Sequence, residues 1–265
     1  EDLKAVDAAV GNRTRLKKGD SLYRAGDSFA ALYAVRLGTL KTTVLAEDGR
    51  EQVAGYHLQG DIIGLDGLGT ERHGCGAVAL EDSEVCTIPF EHLEELARDL
   101  PPLQRYLHQF LAREISRDHG VMLLLGSMRA EERLASFLLN LSERYRARGY
   151  SSTEFVLRMT REEIGSYLGL KLETVSRLFS RFQEEGLLKV SGRNVKLTSV
   201  AALRQLVEGI AQPRQLLVVY RQLLEVGLQR SDLELAAPLL RAVGVDHAAR
   251  RADQVEQVVA VVAAC

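Results

Sequence analysis

The stretch MTREEIGSYLGLKLETVSRLFSRF, residues Met159–Phe182, joins two helical patterns through a glycine. Thr160, followed three residues later by Glu163, has the form of a capping box at a helix start. Gly169 permits the left-handed backbone conformation that a tight turn between helices needs. Apolar residues of the second helix recur at spacings of three and four, at Val175, Leu178, Phe179 and Phe182. This pattern predicts a helix-turn-helix.

The second helix also has residues that its core does not need. Glu173, Ser176 and Arg177 stand at i, i+3 and i+4, so they share one face near the helix start. In a helix-turn-helix this end enters the major groove of DNA. There an Arg matches the O6/N7 edge of guanine, and a Glu matches the amino group of cytosine.

The segment that follows supports the same interpretation. LLKVSGRNVKLTS, residues 187–199, predicts a strand, a turn and a strand, the shape of a wing. Residues 156–200 include eight Lys or Arg and five Asp or Glu, a local net charge of +3. A charged helical subdomain of an enzyme would explain the helices, but not the polar face, the glycine turn and the wing together. The predicted DNA-binding residues are Glu173, Ser176, Arg177, Thr160, Lys171, Arg181 and Arg193.

Composition limits the class of protein. The chain has 265 residues, 46% of them hydrophobic, enough for two domains with separate cores. Its net charge of −2 means that any polyanion must bind a local patch. No apolar run reaches the roughly 20 residues of a membrane span, and no signal-peptide pattern is present. Three scattered cysteines, Cys75, Cys86 and Cys265, form no disulfide framework, so we expect a cytoplasmic protein with no membrane partner.

The first hundred residues have the pattern of a sheet. Gly and Asp recur at short intervals, and short apolar runs such as ALYAV (31–35) and VCTIPF (85–90) lie between them. Many short strands joined by such turns predict a closed or rolled antiparallel sheet. EDGREQVAGYHL, residues 47–58, predicts a hairpin segment whose turn is supplied by Asp48 and Gly49.

A long helix is predicted after the sheet. Pro101 and Pro102 stand at its start, and apolar residues recur on one face up to Leu125. A helix packed on the sheet would explain this stripe, but its length and charged flanks favour a dimer seam. Asp118 stands where the spacing predicts an apolar residue, so paired carboxylates would weaken the dimer and offer a switch. The predicted interface is Leu107, Ile115, Asp118, Met122 and Leu125.

These elements predict an α+β fold with four parts. Residues 1–100 form an N-terminal β-roll. Residues 101–126 form the dimerisation helix, and residues 127–210 form a C-terminal winged helix-turn-helix. Residues 211–265 read as a helical extension to which we assign no role.

In this order the elements resemble the cyclic-AMP receptor / fumarate and nitrate reduction regulator (FNR) superfamily, as far as about Gly209. The Glu-x-x-Ser-Arg arrangement of Glu173, Ser176 and Arg177 is similar to that of the FNR branch. Lys171 departs from the pattern, because FNR has a capping Thr there. The resemblance implies a transcription regulator, not an enzyme, that binds a TTGAT-like palindrome as a homodimer and works with RNA polymerase.

The resemblance also implies that residues 1–100 are a sensor domain, a jelly roll like that of cyclic-nucleotide-binding domains. FNR holds an oxygen-labile [4Fe–4S] cluster on four cysteines, and thiolates are the ligands that such a cluster needs. Cys86, in SEVCTIPF, resembles the ligand from the β-roll by its flanking residues, whereas Cys75 matches no ligand. The three other cysteines would lie upstream of this sequence. A lone cysteine is otherwise most often a small buried residue.

Three alternatives stay open for the signal. A cyclic nucleotide would need a phosphate site, but Asp61 follows Gly60 and His73 follows Arg72 where the family has Glu and Ser. Haem is a second alternative, although no histidine stands in a motif that indicates an axial ligand. The third alternative is that the protein senses no small ligand. A different class, an enzyme of nucleotide signalling regulated by its β-roll, is the remaining possibility.

Overall fold

The computed structural model describes residues 12–45, 49–99 and 101–208. They fall into two compact units, divided between His108 and Gln109. Each unit has buried apolar residues of its own. The helical extension predicted for residues 211–265 lies outside the described residues, as does Asp48 of the predicted turn.

The first unit is built from two antiparallel four-stranded sheets, so the prediction of a β-roll is confirmed. One sheet has the order β1 (Arg13–Leu16), β8 (Ser83–Pro89), β3 (Ala31–Leu37), β6 (Ile62–Ile63), and the other has the order β2 (Ser21–Tyr23), β7 (Gly76–Ala79), β4 (Thr39–Leu45), β5 (Glu51–Leu58). Side chains from both sheets form one apolar core, made of Leu16, Val35, Leu40, Ile63, Ala79 and Val85.

The predicted hairpin is present between β4 and β5. The two strands pair from Thr39 opposite Leu58 to Leu45 opposite Glu51. Gly49, between them, has a φ of 82°, a conformation that favours glycine over any other residue. The hairpin therefore forms where the glycine pattern predicts it.

Two helices follow β8. Helix α1, Phe90–Asp99, packs Phe90 and Leu93 on a buried cluster that contains Leu32 and Ile88. Earlier in the chain, a short 3-10 helix, Leu65–Gly67, lies between β6 and β7. Helix α2, Pro101–Ser127, is the long helix that the sequence predicts.

The apolar residues of α2 occupy two sides of the helix, and here the prediction of a single stripe is wrong. Phe110 and Leu124 are buried, whereas Ile115 is 57% exposed and Met122 67% exposed. At 3.6 residues per turn, the exposed pair is turned roughly 150° away from the buried pair. A spacing of three and four did not separate these two sides, because both use the same steps along the helix.

The second unit contains a winged helix-turn-helix. Its antiparallel sheet has the order β10 (Leu188–Ser191), β11 (Asn194–Leu197), β9 (Glu154–Val156). Leu138, Ile164, Phe182, Leu188 and Leu203 are among its fully buried side chains. The elements are α3 Ala130–Ala147, β9 Glu154–Val156, α4 Arg161–Leu168, α5 Leu172–Glu184, β10 Leu188–Ser191, β11 Asn194–Leu197 and α6 Val200–Glu208.

Candidate DNA-binding surface

Helix α4 begins with the predicted capping box. The Thr160 hydroxyl accepts a hydrogen bond from the Glu163 amide at 3.1 Å. The Glu163 carboxylate accepts one from the Thr160 amide at 2.7 Å. Both hydrogen bonds join Thr160 to Glu163 in the first turn of α4, and they fix where the helix-turn-helix begins.

The turn between α4 and α5 depends on two glycines. Gly169 ends α4 with a φ of 63°, in the left-handed region. A Cβ added at Gly165 would lie 2.5 Å from the Leu170 carbonyl oxygen, which shows how closely the turn crosses α4. The Leu170 amide donates to the Gly165 carbonyl at 2.8 Å. These constraints set the angle at which α5 leaves the turn.

Helix α5 separates its core residues from its candidate DNA-reading residues. Val175, Leu178, Phe179 and Phe182 are buried, as predicted. Glu173, Ser176 and Arg177 are exposed on the other side of the helix. The Arg177 Nε donates to the Glu173 carbonyl oxygen at 3.3 Å. The structure therefore brings these three residues together on a face that is available to a groove.

The other predicted DNA contacts differ in their surroundings. Lys171 is exposed at the N-cap of α5 and makes no side-chain capping bond, as expected where a Thr is replaced. Arg193 is exposed in the turn between β10 and β11, so it lies at the tip of the wing. Arg181 pairs with Glu131 at 2.8 Å and with Glu185 at 2.7 Å. Hydrogen bonds to Glu185 and Glu131 raise the pKa of Arg181, and both carboxylates offset its charge.

Two arginines that the sequence did not single out support this surface. The Arg161 guanidinium lies over the Phe179 ring, 3.3 Å from its centroid, and links α4 to α5. Burial lowers the pKa of Arg161 to about 10. Arg133 donates to carbonyl oxygens near the ends of two helices, those of Leu125 at 2.7 Å and Leu168 at 3.0 Å. Arg133 thereby attaches the end of α2 to the end of α4.

Of the five predicted interface residues of α2, two pack against other residues of the chain and three are exposed. Leu107 packs against the cluster of Ala97 and Leu103, and Leu125 lies beside Gly169. Ile115, Asp118 and Met122 are exposed on one side of the helix.

Cys86 lies in the middle of β8 and is 0% exposed. Its neighbours are apolar, including Leu32, Ala34 and Ile88, with Phe90 and Leu93 covering them. Within residues 12–45, 49–99 and 101–208, no group of three or more His, Cys, Asp or Glu side chains could hold a metal ion. The described residues therefore do not fit a four-thiolate cluster by themselves. Burial raises the pKa of the second thiol, Cys75, to about 12.

The residues considered for a cyclic-nucleotide phosphate already have partners within the first unit. The Arg72 guanidinium donates to the Gly26 carbonyl at 2.7 Å, and the Asp61 carboxylate accepts from the Leu58 amide at 2.7 Å. His73 is buried and stacks on Tyr23 with ring centroids 3.7 Å apart. No helix among the described residues is long and apolar enough to cross a membrane.

Comparison with known proteins agrees with this architecture. Residues 13–99 match the cyclic nucleotide-binding domain, and residues 132–206 match the Crp-like helix-turn-helix domain. The transcriptional regulatory protein Btr of Bordetella pertussis is 50% identical over 206 residues, 78% of this chain and 85% of Btr. The fumarate and nitrate reduction regulatory protein of Escherichia coli K12 is 44% identical over 205 residues, which are 77% of this chain and 82% of that protein.

A solved structure gives the same result. FixK2 of Bradyrhizobium japonicum matches with a TM-score of 0.68 and 34% identity, over 74% of this chain and 97% of FixK2. The close relatives are transcription regulators, which excludes the signalling enzyme that the sequence left open. The chain therefore belongs to the CRP/FNR family of DNA-binding transcription regulators.

Proposed function

We propose that this regulator binds a TTGAT-like palindrome as a homodimer, with Glu173, Ser176 and Arg177 reading bases in the major groove. The observation that supports this proposal most strongly is the separation of faces on α5. Folding uses Val175, Leu178, Phe179 and Phe182, and it leaves the opposite polar face exposed. Arg177 suits a guanine and Glu173 suits the cytosine paired with it, so both match the single G·C pair of the half-site.

Exposed cations around α5 would fix the helix on the backbone of the DNA. Lys171 stands at the start of α5 and Arg193 at the wing, and both are exposed. Contacts of this kind to phosphates give affinity and register but no sequence information. Arg181 has a smaller part in this proposal, because Glu131 and Glu185 already pair with it.

The proposed dimer uses the exposed side of α2. Ile115 and Met122 stand on that side with Asp118 between them, and a second copy of the helix would cover both apolar side chains. Two-fold symmetry would bring the two Asp118 carboxylates close together, which costs repulsion and desolvation. The dimer would then be weak enough for a signal to control, and RNA polymerase is the further partner that the family resemblance implies.

Oxygen or redox state is the signal that we propose, on the resemblance of the residues around Cys86 to a cluster ligand. A positional observation supports it: β1 pairs with β8 so that Arg13 stands opposite Cys86, and the chain enters the sheet there. A [4Fe–4S] cluster would need three further thiolates from outside the described residues, and it stays a prediction. Anaerobic reconstitution tests it, because visible absorbance that air bleaches and that Cys86→Ser removes is expected. Absorbance unchanged by Cys86→Ser would refute the assignment.

A fluorescence-anisotropy titration tests the DNA proposal. Labelled TTGAT-N4-ATCAA and a shuffled duplex of equal length are titrated with the protein at moderate salt, with random DNA as competitor. We expect the palindrome to retain binding under competitor that removes the shuffled duplex, with two chains per duplex by sedimentation. Equal loss from both duplexes would rule out sequence-specific regulation at this site.

A further inference from the structure

The three methionines of the chain differ in how far their sulfur atoms are open to solvent. Met122, on the exposed side of α2, is 67% exposed, whereas Met159 is 5% exposed and packs in the core of the second unit. Met128 is half-buried, and its sulfur accepts a hydrogen bond from the Ser136 hydroxyl at 3.5 Å. Met122 is therefore the methionine that a small solute reaches first.

The two thiols that the structure describes are closed to solvent as well. Cys86 lies in the middle of β8 with no exposed surface, and Cys75 is buried. Burial raises the pKa of the Cys75 thiol to about 12, which keeps it in the thiol form that reacts poorly with oxidants. A thioether has no proton to lose, so its oxidation depends mainly on access. Among the described sulfur atoms, that of Met122 is the most available to an oxidant.

Met122 also stands where a change of polarity would affect assembly. The exposed side of α2 carries Ile115, Asp118 and Met122, and a second copy of the helix covers both apolar side chains in the proposed dimer. In that dimer the two Asp118 carboxylates repel each other. The dimer therefore opens readily, and each opening exposes the sulfur of Met122 to the solvent.

We infer that Met122 is an oxidation site through which a peroxide controls assembly of the dimer, an inference that rests on the proposed function. The sulfur attacks one oxygen of hydrogen peroxide, the O–O bond breaks, and a sulfoxide forms while the other oxygen leaves as water. The sulfur loses the two electrons that the peroxide gains. The step needs no cofactor and no second residue.

The sulfoxide favours the monomer, because its oxygen is a strong hydrogen-bond acceptor. In the monomer, water donates to this oxygen. In the proposed seam, apolar side chains would cover the oxygen and remove that bond, which costs free energy. Two-fold symmetry places Met122 of both chains in the seam, so one oxidised chain is enough to weaken the dimer. Binding to the palindrome falls as well, since the palindrome takes two chains.

Limited oxidation of the purified chain with hydrogen peroxide tests this inference. Peptide mass spectrometry should find the added oxygen at Met122 before it appears at Met128 or Met159. Sedimentation equilibrium should then give a dimer dissociation constant about tenfold higher than before treatment, the effect of burying one unpaired polar group. The affinity for the palindrome, measured by anisotropy, should fall in parallel. Methionine sulfoxide reductases for both epimers should restore the two values.

Three variants separate the effect of Met122 from general damage. Met122→Leu has no sulfur and keeps an apolar side chain of similar volume, so peroxide should leave its dissociation constant at its own untreated value. Met128→Leu is the matched control, since it removes the next methionine along the chain, and it should keep the full response. Met122→Gln carries a polar amide without any oxidant and should raise the dissociation constant about as much as the sulfoxide does.

Earlier oxidation of Met128 or Met159, or a response to peroxide that survives in Met122→Leu, would overturn the inference alone. A fully oxidised Met122 with an unchanged dissociation constant would overturn it as well. If the untreated protein forms no dimer, or if Asp118→Ala and Met122→Gln both leave the dissociation constant unchanged, the proposed seam on α2 is wrong. The inference then fails together with that part of the proposed function.

Discussion

The winged helix and the β-roll place their candidate functional residues in opposite surroundings. Glu173, Ser176 and Arg177 are exposed on a helix whose other side is fully used by the core. Cys86, the candidate sensor residue, is itself part of a core and touches Leu32, Ala34 and Ile88. The first set matches the family by its Glu-x-x-Ser-Arg arrangement and Cys86 by its flanking residues, yet only the first set is exposed.

The difference teaches that a motif locates a residue in the fold but does not say what the residue touches. On α5, the residues that the core needs differ from the residues of the motif, because apolar and polar residues alternate at helical spacing. In β8 a single residue, Cys86, belongs to both the core and the motif, since a buried thiol packs in the core whether or not it binds iron. Stability and binding measurements can therefore tell the two regions apart.

The largest expected effect is a loss of stability at the buried side of α5. Phe182→Ala removes a fully buried ring, so the free energy of unfolding of the second unit should fall by about 3–5 kcal/mol. Urea denaturation followed by circular dichroism measures it. Arg177→Ala, on the exposed side of the same helix, is the control and should change stability by less than about 0.5 kcal/mol. Equal losses would contradict the separation of the two faces.

A smaller stability effect is expected at Cys86. Cys86→Ser places a hydroxyl among apolar side chains, so the free energy of unfolding should fall by about 1–3 kcal/mol. Cys86→Ala leaves no buried hydroxyl and should be less harmful. Urea denaturation of both variants under reducing conditions gives the comparison. A serine variant as stable as the wild type would indicate a polar site and sharpen the case for a ligand.

The smallest effect concerns the exposed side of α2. Asp118→Ala should lower the dissociation constant of the proposed dimer several-fold, about 0.5–1 kcal/mol, because a pair of like charges is removed from the proposed apolar seam. Sedimentation equilibrium measures it. Gln109→Ala, at an exposed position on another side of α2, is the control. A weaker Asp118→Ala dimer would mean that this carboxylate makes a favourable bond.

Sequence periodicity predicted the elements well, because the β-roll turns and the helix-turn-helix depend on local residues such as Gly49, Thr160 and Gly169. Contacts between distant segments were not predictable in this way. Arg133 bonds to carbonyls of Leu125 and Leu168, and backbone carbonyls leave no trace in a sequence pattern. The sequence pattern also treated the two apolar sides of α2 as one stripe, because only the fold decides which side the rest of the chain covers.

The central claim, that the exposed face of α5 reads sequence, is tested most directly by comparing Arg177→Ala with Arg193→Ala. Anisotropy titrations on the palindrome and the shuffled duplex are repeated over a range of salt concentrations. Arg177→Ala should cost about 1–3 kcal/mol on the palindrome and little on the shuffled duplex. Arg193→Ala should weaken both duplexes alike and reduce the salt slope by about 1. If Arg177→Ala also weakens both duplexes equally, the face of α5 does not read sequence, and the account is contradicted.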